Sequence, residues 1–586
     1  MRRYLKFGAL LVLTSAVAPA QTAPLKTPAP LPQIKQNGAV KQMFVDGKPF
    51  IMLGGELHNS SASSTEYMKP IWDKLARMNV NTVIGTVSWE LLEPQEGQFN
   101  FTLVDAQIQE ARKRNMRLVL IWFASWKNGA SSYAPMWVKT SPQRFPLQQL
   151  KPRAAGENDG FRMPRVPPLS PLGEASMLAD AKAYRALMRH IKEVDPQHTI
   201  IMMQVENEMG LLGDSRDRSP LAEAAWAKPV PAELINYFTR NKATLLPEMQ
   251  EVWGRNGNKT SGTWAEVFGK DEWADEVFMA WHYARYLQKI ISEGKAELNL
   301  PMYVNAWLGP QPGELVPGDW PSGGPVARVM DVWRAGAPAV DFIAPDIYVD
   351  DFKGTCALYA RSGNPLFYPE ARDRVGNLVW SIGKYSAMGV SPFGIEDLAA
   401  DGQVAQAYGL LSQMLPQLAE WQAAGKVAGV LLDGDESETV SLGGYKITVA
   451  RPMGRRGGPP PATATGPGGG AVAPAGQPPA TAAAGGTALP ALLPGGVSLA
   501  ARALAADTRP FGLIITTGPE EFLLFGSNIN ANFAPESGPG RVVVGTKDEG
   551  RYEKGKWIPG RRLNGDEAGR GTSGIGFLKI KVYRTE

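Results

Sequence analysis

Thr199-Ile200-Ile201-Met202-Met203-Gln204-Val205-Glu206-Asn207-Glu208-Met209-Gly210 is the stretch from which the architecture can be read. From Thr199 to Met203 every residue is apolar or β-branched, with no polar alternation, the pattern of a strand buried on both faces. The run then breaks into Glu206, Asn207 and Glu208. Carboxylates at the C-terminal end of a buried parallel strand are costly to desolvate, so their placement points to chemistry. The plain alternative is a solvated charged loop, and the rest of the chain has to choose between the two.

Working outward, similar short apolar runs recur on both sides. Upstream lie Phe50 to Leu53, Thr82 to Val87 (followed by Trp89-Glu90) and Arg117 to Phe123 (followed by Ser125-Trp126-Lys127-Asn128). Downstream lie Met302 to Trp307, Asp341 to Tyr348, Pro365 to Glu370 and Val390 to Glu396. Helical segments alternate with them: Tyr67 to Met78, Leu103 to Arg114, Ala175 to Val194 and Phe278 to Glu297. In the third, Leu178, Tyr184, Leu187, Met188, Ile191 and Val194 recur at helical spacing. Counting from Phe50, eight strands alternate with helices, which predicts an α/β chain whose (β/α)8 TIM barrel spans residues 39–425. Residues 211–276 read as a long insertion shaping one wall of a cleft. Asp46-Gly47 between two apolar runs predicts a hairpin just before the barrel.

The flanks differ in style. The N-terminus Met1-Arg2-Arg3 is followed by an apolar run from Phe7 to Val17 and by Ala18-Pro19-Ala20, the pattern of a secretory signal over residues 1–20. A periplasmic or secreted product is therefore expected, without membrane insertion after cleavage. Residues 21–38, rich in Pro, Gln, Lys and Thr, read as a linker with no core pattern. Residues 426–586 predict a smaller all-β, sandwich-like domain with strands at 427–432, 438–449, 513–516, 522–525, 542–544 and 577–582. The Gly/Pro/Ala-rich segment 451–496 reads as a disordered insertion in it. A net charge of +4 over 586 residues gives no basic face of the kind nucleic acid requires. The single cysteine, Cys356, excludes a disulfide within the chain.

Glu208 ends the fourth strand and Glu370 the seventh. These strands face each other across a barrel mouth, and two carboxyl groups converging on one cleft are what glycosidic bond cleavage needs: one protonates the leaving oxygen, the other attacks the anomeric carbon. Gln204 to Gly210 resembles the acid/base motif of the glycoside hydrolase family 35 β-galactosidases. Leu53-Gly54-Gly55-Glu56-Leu57-His58, Trp72-Asp73-Lys74-Leu75 and Trp89-Glu90-Leu91-Leu92-Glu93-Pro94 resemble stretches of the same family in the same order. Gly560 to Glu567 resembles the C-terminal β domain of its bacterial branch. The resemblance implies a retaining, exo-acting enzyme releasing terminal β-galactose from a carbohydrate substrate, without metal or cofactor, and it is silent on oligomeric state.

Residue by residue, the resemblance implies Glu208 as acid/base and Glu370 as nucleophile. It implies Asn207 on the sugar 2-hydroxyl, Tyr348 positioning the nucleophile, Trp307 under the sugar ring, and Trp126, Lys127, Asn128, Trp89 and Glu90 as further substrate contacts. The sequence departs from the family where Ser125 replaces a usual Glu and where Ala371 follows Glu370 in place of an aromatic residue, which leaves glucoside, arabinoside and fucoside specificity open. Glu206 reads as structural, since it is Glu208 that follows Asn207. Glu396 competes with Glu370 for the nucleophile role, Asp346 reads as a loop anchor, and His58 as either a mouth residue or a satisfied core histidine. Two rival classes stand beside this one. A metal-dependent barrel hydrolase needs clustered histidines, whereas only His58, His190, His198 and His282 exist. A non-catalytic sugar-binding barrel has no need of two opposed carboxylates.

Overall fold

The computed structural model describes residues 30–152, 167–452 and 506–586. The expected signal segment and most of the Gly/Pro/Ala-rich insertion lie outside the described residues.

Three antiparallel strands come first: β1 (Gln33–Asn37), β2 (Val40–Val45) and β3 (Lys48–Phe50). Asp46 and Gly47 form the predicted turn between β2 and β3, both at positive φ (51° and 75°), where glycine and aspartate are tolerated. The presence of β1 corrects the linker reading over residues 33–37, while residues 21–29 lie outside the described residues. Its side chains carry little apolar pattern, because its hold on the fold is backbone pairing with β2, from Gln33↔Phe44 to Asn37↔Val40. Met43 and Val45 of β2 join the apolar filling of the barrel, so this sheet plugs the barrel's N-terminal end. Each side chain so buried contributes roughly 1.5–3 kcal/mol.

The barrel strands are β4 (Met52–Glu56), β5 (Thr82–Ser88), β6 (Arg117–Lys127), β7 (Ile200–Asn207), β8 (Met302–Trp307), β9 (Phe342–Asp346), β10 (Tyr368–Ala371) and β11 (Gly389–Pro392). They pair in parallel in the order β10-β11-β4-β5-β6-β7-β8-β9. The parallel bridge Ile347↔Ala371 closes the ring between β9 and β10. The interior is filled by Met52, Ile84, Val119, Ile121, Phe123, Met202, Tyr303, Phe342 and Phe367. The predicted strands fall within a few residues of the observed ones, with β6 running four residues further, to Lys127. The helices Glu174–Val194 and Glu272–Glu297 pack on the outside, with the Tyr184 ring filling the space that the missing Cβ of Gly294 leaves. Among the described residues no helix is long and apolar enough to cross a membrane.

The C-terminal region is two antiparallel sheets, as the composition predicted. Strands β12 (Val427–Leu431), β13 (Ser437–Leu442), β14 (Tyr445–Ala450), β15 (Phe511–Gly518), β16 (Glu521–Ser527), β17 (Asn530–Pro535), β18 (Arg541–Glu553), β19 (Lys556–Arg562) and β20 (Gly576–Thr585) form a six-stranded sheet, β12-β15-β16-β20-β18-β19, and a three-stranded one, β13-β14-β17. Residues 438–449, read as one strand, are a hairpin, because Gly443 and Gly444 take positive φ and reverse the chain. Ile447, Val449, Ile514, Leu524, Leu578 and Ile580 form the core between the sheets. The six-stranded sheet lies on the barrel helix Val375–Lys384 so closely that a Cβ on Gly383 would meet the Gly429 Cα at 2.5 Å.

Candidate active site

The site is organised by the end of β7. Glu206 and Glu208 both adopt positive φ (64° and 42°), a conformation that costs a non-glycine residue about 1–3 kcal/mol and that clusters at functional sites. Plain alternation would send both carboxylates the same way. The twist at Glu206 instead drives its side chain behind the barrel wall, where it accepts the backbone N–H groups of Ser125 and Trp126, each at 2.9 Å, and hydrogen-bonds Asp180. Asp180 is further held by Trp122 Nε1 (2.8 Å) and Ser125 Oγ (2.6 Å). The hydroxyl of Ser125, where the family 35 pattern has a carboxylate, thus caps this wall and does not face the mouth. Burial, together with the neighbouring Asp180, pushes the Glu206 carboxyl well above its ordinary range.

Asn207 and Glu208 then turn into the mouth. One oxygen each of Glu208, Asp346 and Glu370 lies within 4.8 Å of the others, all three residues buried. Glu370 is held from two sides: Asn207 Nδ2 donates to Oε1 at 3.1 Å and the Tyr348 hydroxyl to Oε2 at 2.9 Å. Lys127 Nζ donates to Asn207 Oδ1 at 2.6 Å and so fixes the amide's orientation. Asn305 accepts the Glu208 N–H at 3.0 Å and donates to Asp346 Oδ2 at 2.7 Å. Glu208 and Asp346 are hydrogen-bonded to each other.

The electrostatics follow from four buried carboxyls, Glu56, Glu208, Asp346 and Glu370, around one ammonium. Burial and the nearby Glu370 charge push Glu208 up to about 8, against the opposing pull of Lys127. Asp346 is raised well above its usual range by burial and by Glu370 and Glu208. Burial works against a charged Lys127, but Glu370 and Glu208 outweigh it and hold its pKa above the ordinary lysine value. Glu370 accepts two side-chain hydrogen bonds, from Asn207 and Tyr348, while Glu208 keeps a proton at neutral pH. This is the acid-plus-carboxylate division that two like groups in one site require. The trio is also the group among the described residues able to share a cation. Its oxygens suit a hard ion such as Mg²⁺ or Ca²⁺, though side-chain donors already occupy both oxygens of Glu370 and one of Asp346.

Not every expected contact reaches the mouth. Trp126 points outward, fully buried against Tyr283 and Tyr286, with Nε1 donating to Leu169 O at 2.9 Å. Trp89 begins a short helix, not a strand end, and donates to Glu93 Oε2 at 2.8 Å while packing on Trp122 and Trp137. Glu90 lies on the same helix and pairs with Lys139 at 3.0 Å on the outer surface. These three are corrections: their strand register was right or nearly so, but the side chains face the helix layer. Asn128 stays at the rim, its N–H on Asn207 O at 3.2 Å. Trp307, half-buried, donates to Glu314 Oε2 at 3.1 Å. Glu396 spends Oε1 on the His58 N–H (2.9 Å) and Ser61 Oγ (2.6 Å), anchoring the β4 loop, and His58 Nε2 pairs with Asp397 at 2.7 Å on the rim. The sequence reading passed over Asn305, Glu56 and Tyr133, whose ring stacks on Phe123 at 4.8 Å. Alternation from Met52 was the available signal for Glu56.

Known proteins are similar to parts of this chain. A glycoside hydrolase family 42 model, described as "Beta-galactosidase", matches residues 59–269. The model matched is thus that of family 42, and the family 35 resemblance of the motifs is not confirmed. A second model, a domain of unknown function (DUF5597), matches residues 404–478 and 494–573. A β-galactosidase of Xanthomonas manihotis is 30% identical over 212 residues, which is 35% of this chain and 31% of that protein. The chain thus spans about a third of that relative's length. Among solved structures, the β-galactosidase of Rahnella sp. R3 aligns with a TM-score of 0.40 and 15% identity over 63% of this chain and 57% of its own. That of Bacillus circulans sp. alkalophilus aligns with 0.36 and 16% over 58% and 50%.

Proposed function

We propose that this protein is a retaining β-glycosidase that removes terminal β-galactose from oligo- or polysaccharides. The observation that carries the reading is the approach of Glu208 and Glu370 to within 4.8 Å. A retaining pair stands about 5–5.5 Å apart, whereas an inverting pair leaves about 6.5–9.5 Å for a water. In the proposed mechanism Glu370, oriented by Asn207 and Tyr348, attacks the anomeric carbon while Glu208 gives its proton to the leaving oxygen. Glu208, now ionised, takes a proton from the water that attacks the glycosyl-enzyme on the same face, and the acid is restored. Lys127 holds Asn207 where its amide reaches both Glu370 and the position of the sugar 2-hydroxyl.

Galactose as the sugar rests on the family 42 match and on the Xanthomonas manihotis relative. The reading extends to a protein acting in the periplasm or outside the cell, on the signal pattern of residues 1–20. The test is proton NMR of the sugar first formed from an aryl β-galactoside. The β-anomer is expected before mutarotation. An initial α-anomer sinks the retaining assignment and the roles of both glutamates, and no turnover of any aryl β-glycoside sinks the enzyme reading.

A further inference from the structure

Among the described residues, Glu56 is the mouth acid with neither carboxyl oxygen partnered. It ends β4, and alternation from Met52, an interior residue, puts Glu56 on the inward face. Between them Gly54 leaves the interior clear: a Cβ there would meet Ser391 Oγ at 2.2 Å. Glu56 is fully buried, yet among the described residues neither carboxyl oxygen has a hydrogen-bond partner. The other buried acids around it are held: Glu370 by Asn207 and Tyr348, Asp346 by Asn305, Glu208 by Asp346, and Glu396 by Ser61 and His58. Glu56 feels the charges of Glu370, Lys127, Glu208 and Glu396, so it stands in the same enclosure. Lys127, committed to Asn207, makes no ion pair with it.

A buried carboxyl left unpaired costs a fold several times what a paired one does, and a structural role would have supplied donors. In the ring, β4 stands two strands from β10 and three from β7, so Glu56 lies on the Glu370 side of the mouth. That is where the hydroxyls remote from the scissile bond lie when the anomeric carbon rests between Glu208 and Glu370. We propose that Glu56 is a specificity-determining residue of the sugar site, its carboxyl hydrogen-bonding one hydroxyl of the terminal sugar, at position 3, 4 or 6. This rests on the glycosidase reading above. Burial and the nearby Glu370 charge hold the Glu56 carboxyl well above its ordinary range, which favours its neutral form, able to donate as well as accept.

The test uses the full chain with aryl β-galactosides lacking the 3-, 4- or 6-hydroxyl. In the wild type each deletion lowers kcat/KM by its own factor. Glu56→Ala is expected to lower kcat/KM for the parent sugar about 100-fold, the scale of a hydrogen bond to a buried polar group. It is also expected to abolish the penalty for one deoxy sugar while leaving the other two penalties intact. A structural role for Glu56 would lower all four substrates together. Should Glu56→Ala not fold, as judged by its thermal transition, Glu56→Asp retracts the carboxyl by one methylene, and the same selective loss is expected from it. A folded variant that keeps all three penalties overturns the assignment of Glu56 and leaves the glycosidase reading standing. A wild type inactive on every aryl β-glycoside overturns the glycosidase reading itself, and this assignment with it.

Discussion

Two buried acidic clusters in this chain are built on opposite plans. In the insertion after β7, Asp214 and Asp275 both meet Arg218 Nη2 at 2.8 Å, and Arg216 reaches Asp275 at 3.0 Å. Asp217 beside them accepts Ser170 Oγ at 2.7 Å and two backbone N–H groups. At the mouth, four carboxyls share one lysine. Burial alone would raise Asp214, but Arg218 outweighs it and holds that carboxyl below the ordinary range, whereas Glu208 is driven up to about 8. The lesson is that the same residue type serves stability where cations match it and reactivity where they do not. The insertion needs the match, since its short helices Pro220–Trp226, Ala232–Arg240 and Pro247–Gly254 have few turns of their own to hold them.

The sharpest way to break this contrast is at the proposed nucleophile. Glu370→Gln should lower turnover of every β-glycoside by several orders of magnitude, while its thermal midpoint stays level or rises, because a like charge leaves Glu208 and Asp346. A collapse of the midpoint alongside activity would show that the mouth is as structural as the insertion. Next in size is Arg218→Ala, which strands Asp214 and Asp275. Breaking a buried pair of this kind costs about 3 kcal/mol, read from denaturant unfolding. Turnover per folded molecule should not change, since Arg218 touches none of the mouth residues.

The two clusters should also answer pH with opposite sign. The folded-state pKa of Glu208 lies above its unfolded value, so its contribution to stability is fully present below about 4.5 and is lost as pH rises toward about 8. Asp214 has a lowered folded-state pKa, so its contribution is present above the ordinary aspartate range and is lost as pH falls through the lowered value. Thermal midpoints across pH should therefore show a flatter alkaline limb in Glu208→Gln and a flatter acid limb in Asp214→Asn. Turnover of substrates with poor leaving groups should decline as Glu208 loses its proton near pH 8. The smallest effect is expected at Trp126→Phe. With its indole on Leu169, Tyr283 and Tyr286, the change should cost about 1 kcal/mol of stability and leave KM unchanged. A raised KM would return Trp126 to the sugar site.

Much of this molecule was legible from residue order. The barrel strands could be read because each is a short apolar run closed by polar residues, and both the run and its end are local properties. Glu208 and Glu370 could be read because a costly carboxylate at a strand end needs a reason wherever it occurs. The strand β1 escaped because backbone pairing with β2 leaves no side-chain pattern. Trp89, Glu90 and Trp126 were misplaced because a strand end has two faces, and periodicity does not say which faces the ligand once the strand bends or gives way to a helix.

Local pattern therefore established the layers, their order and the two glutamates. The aim of each side chain came from elsewhere. Glu206 turns behind the wall because backbone N–H groups of β6, some 80 residues earlier in the chain, accept its twist. Glu370 is fixed by donors from β7 and from the loop after β9, and Glu56 remains unpaired because nothing from the neighbouring strands reaches it. Such contacts join residues far apart in sequence, and their energies exist only once the ring of strands has closed.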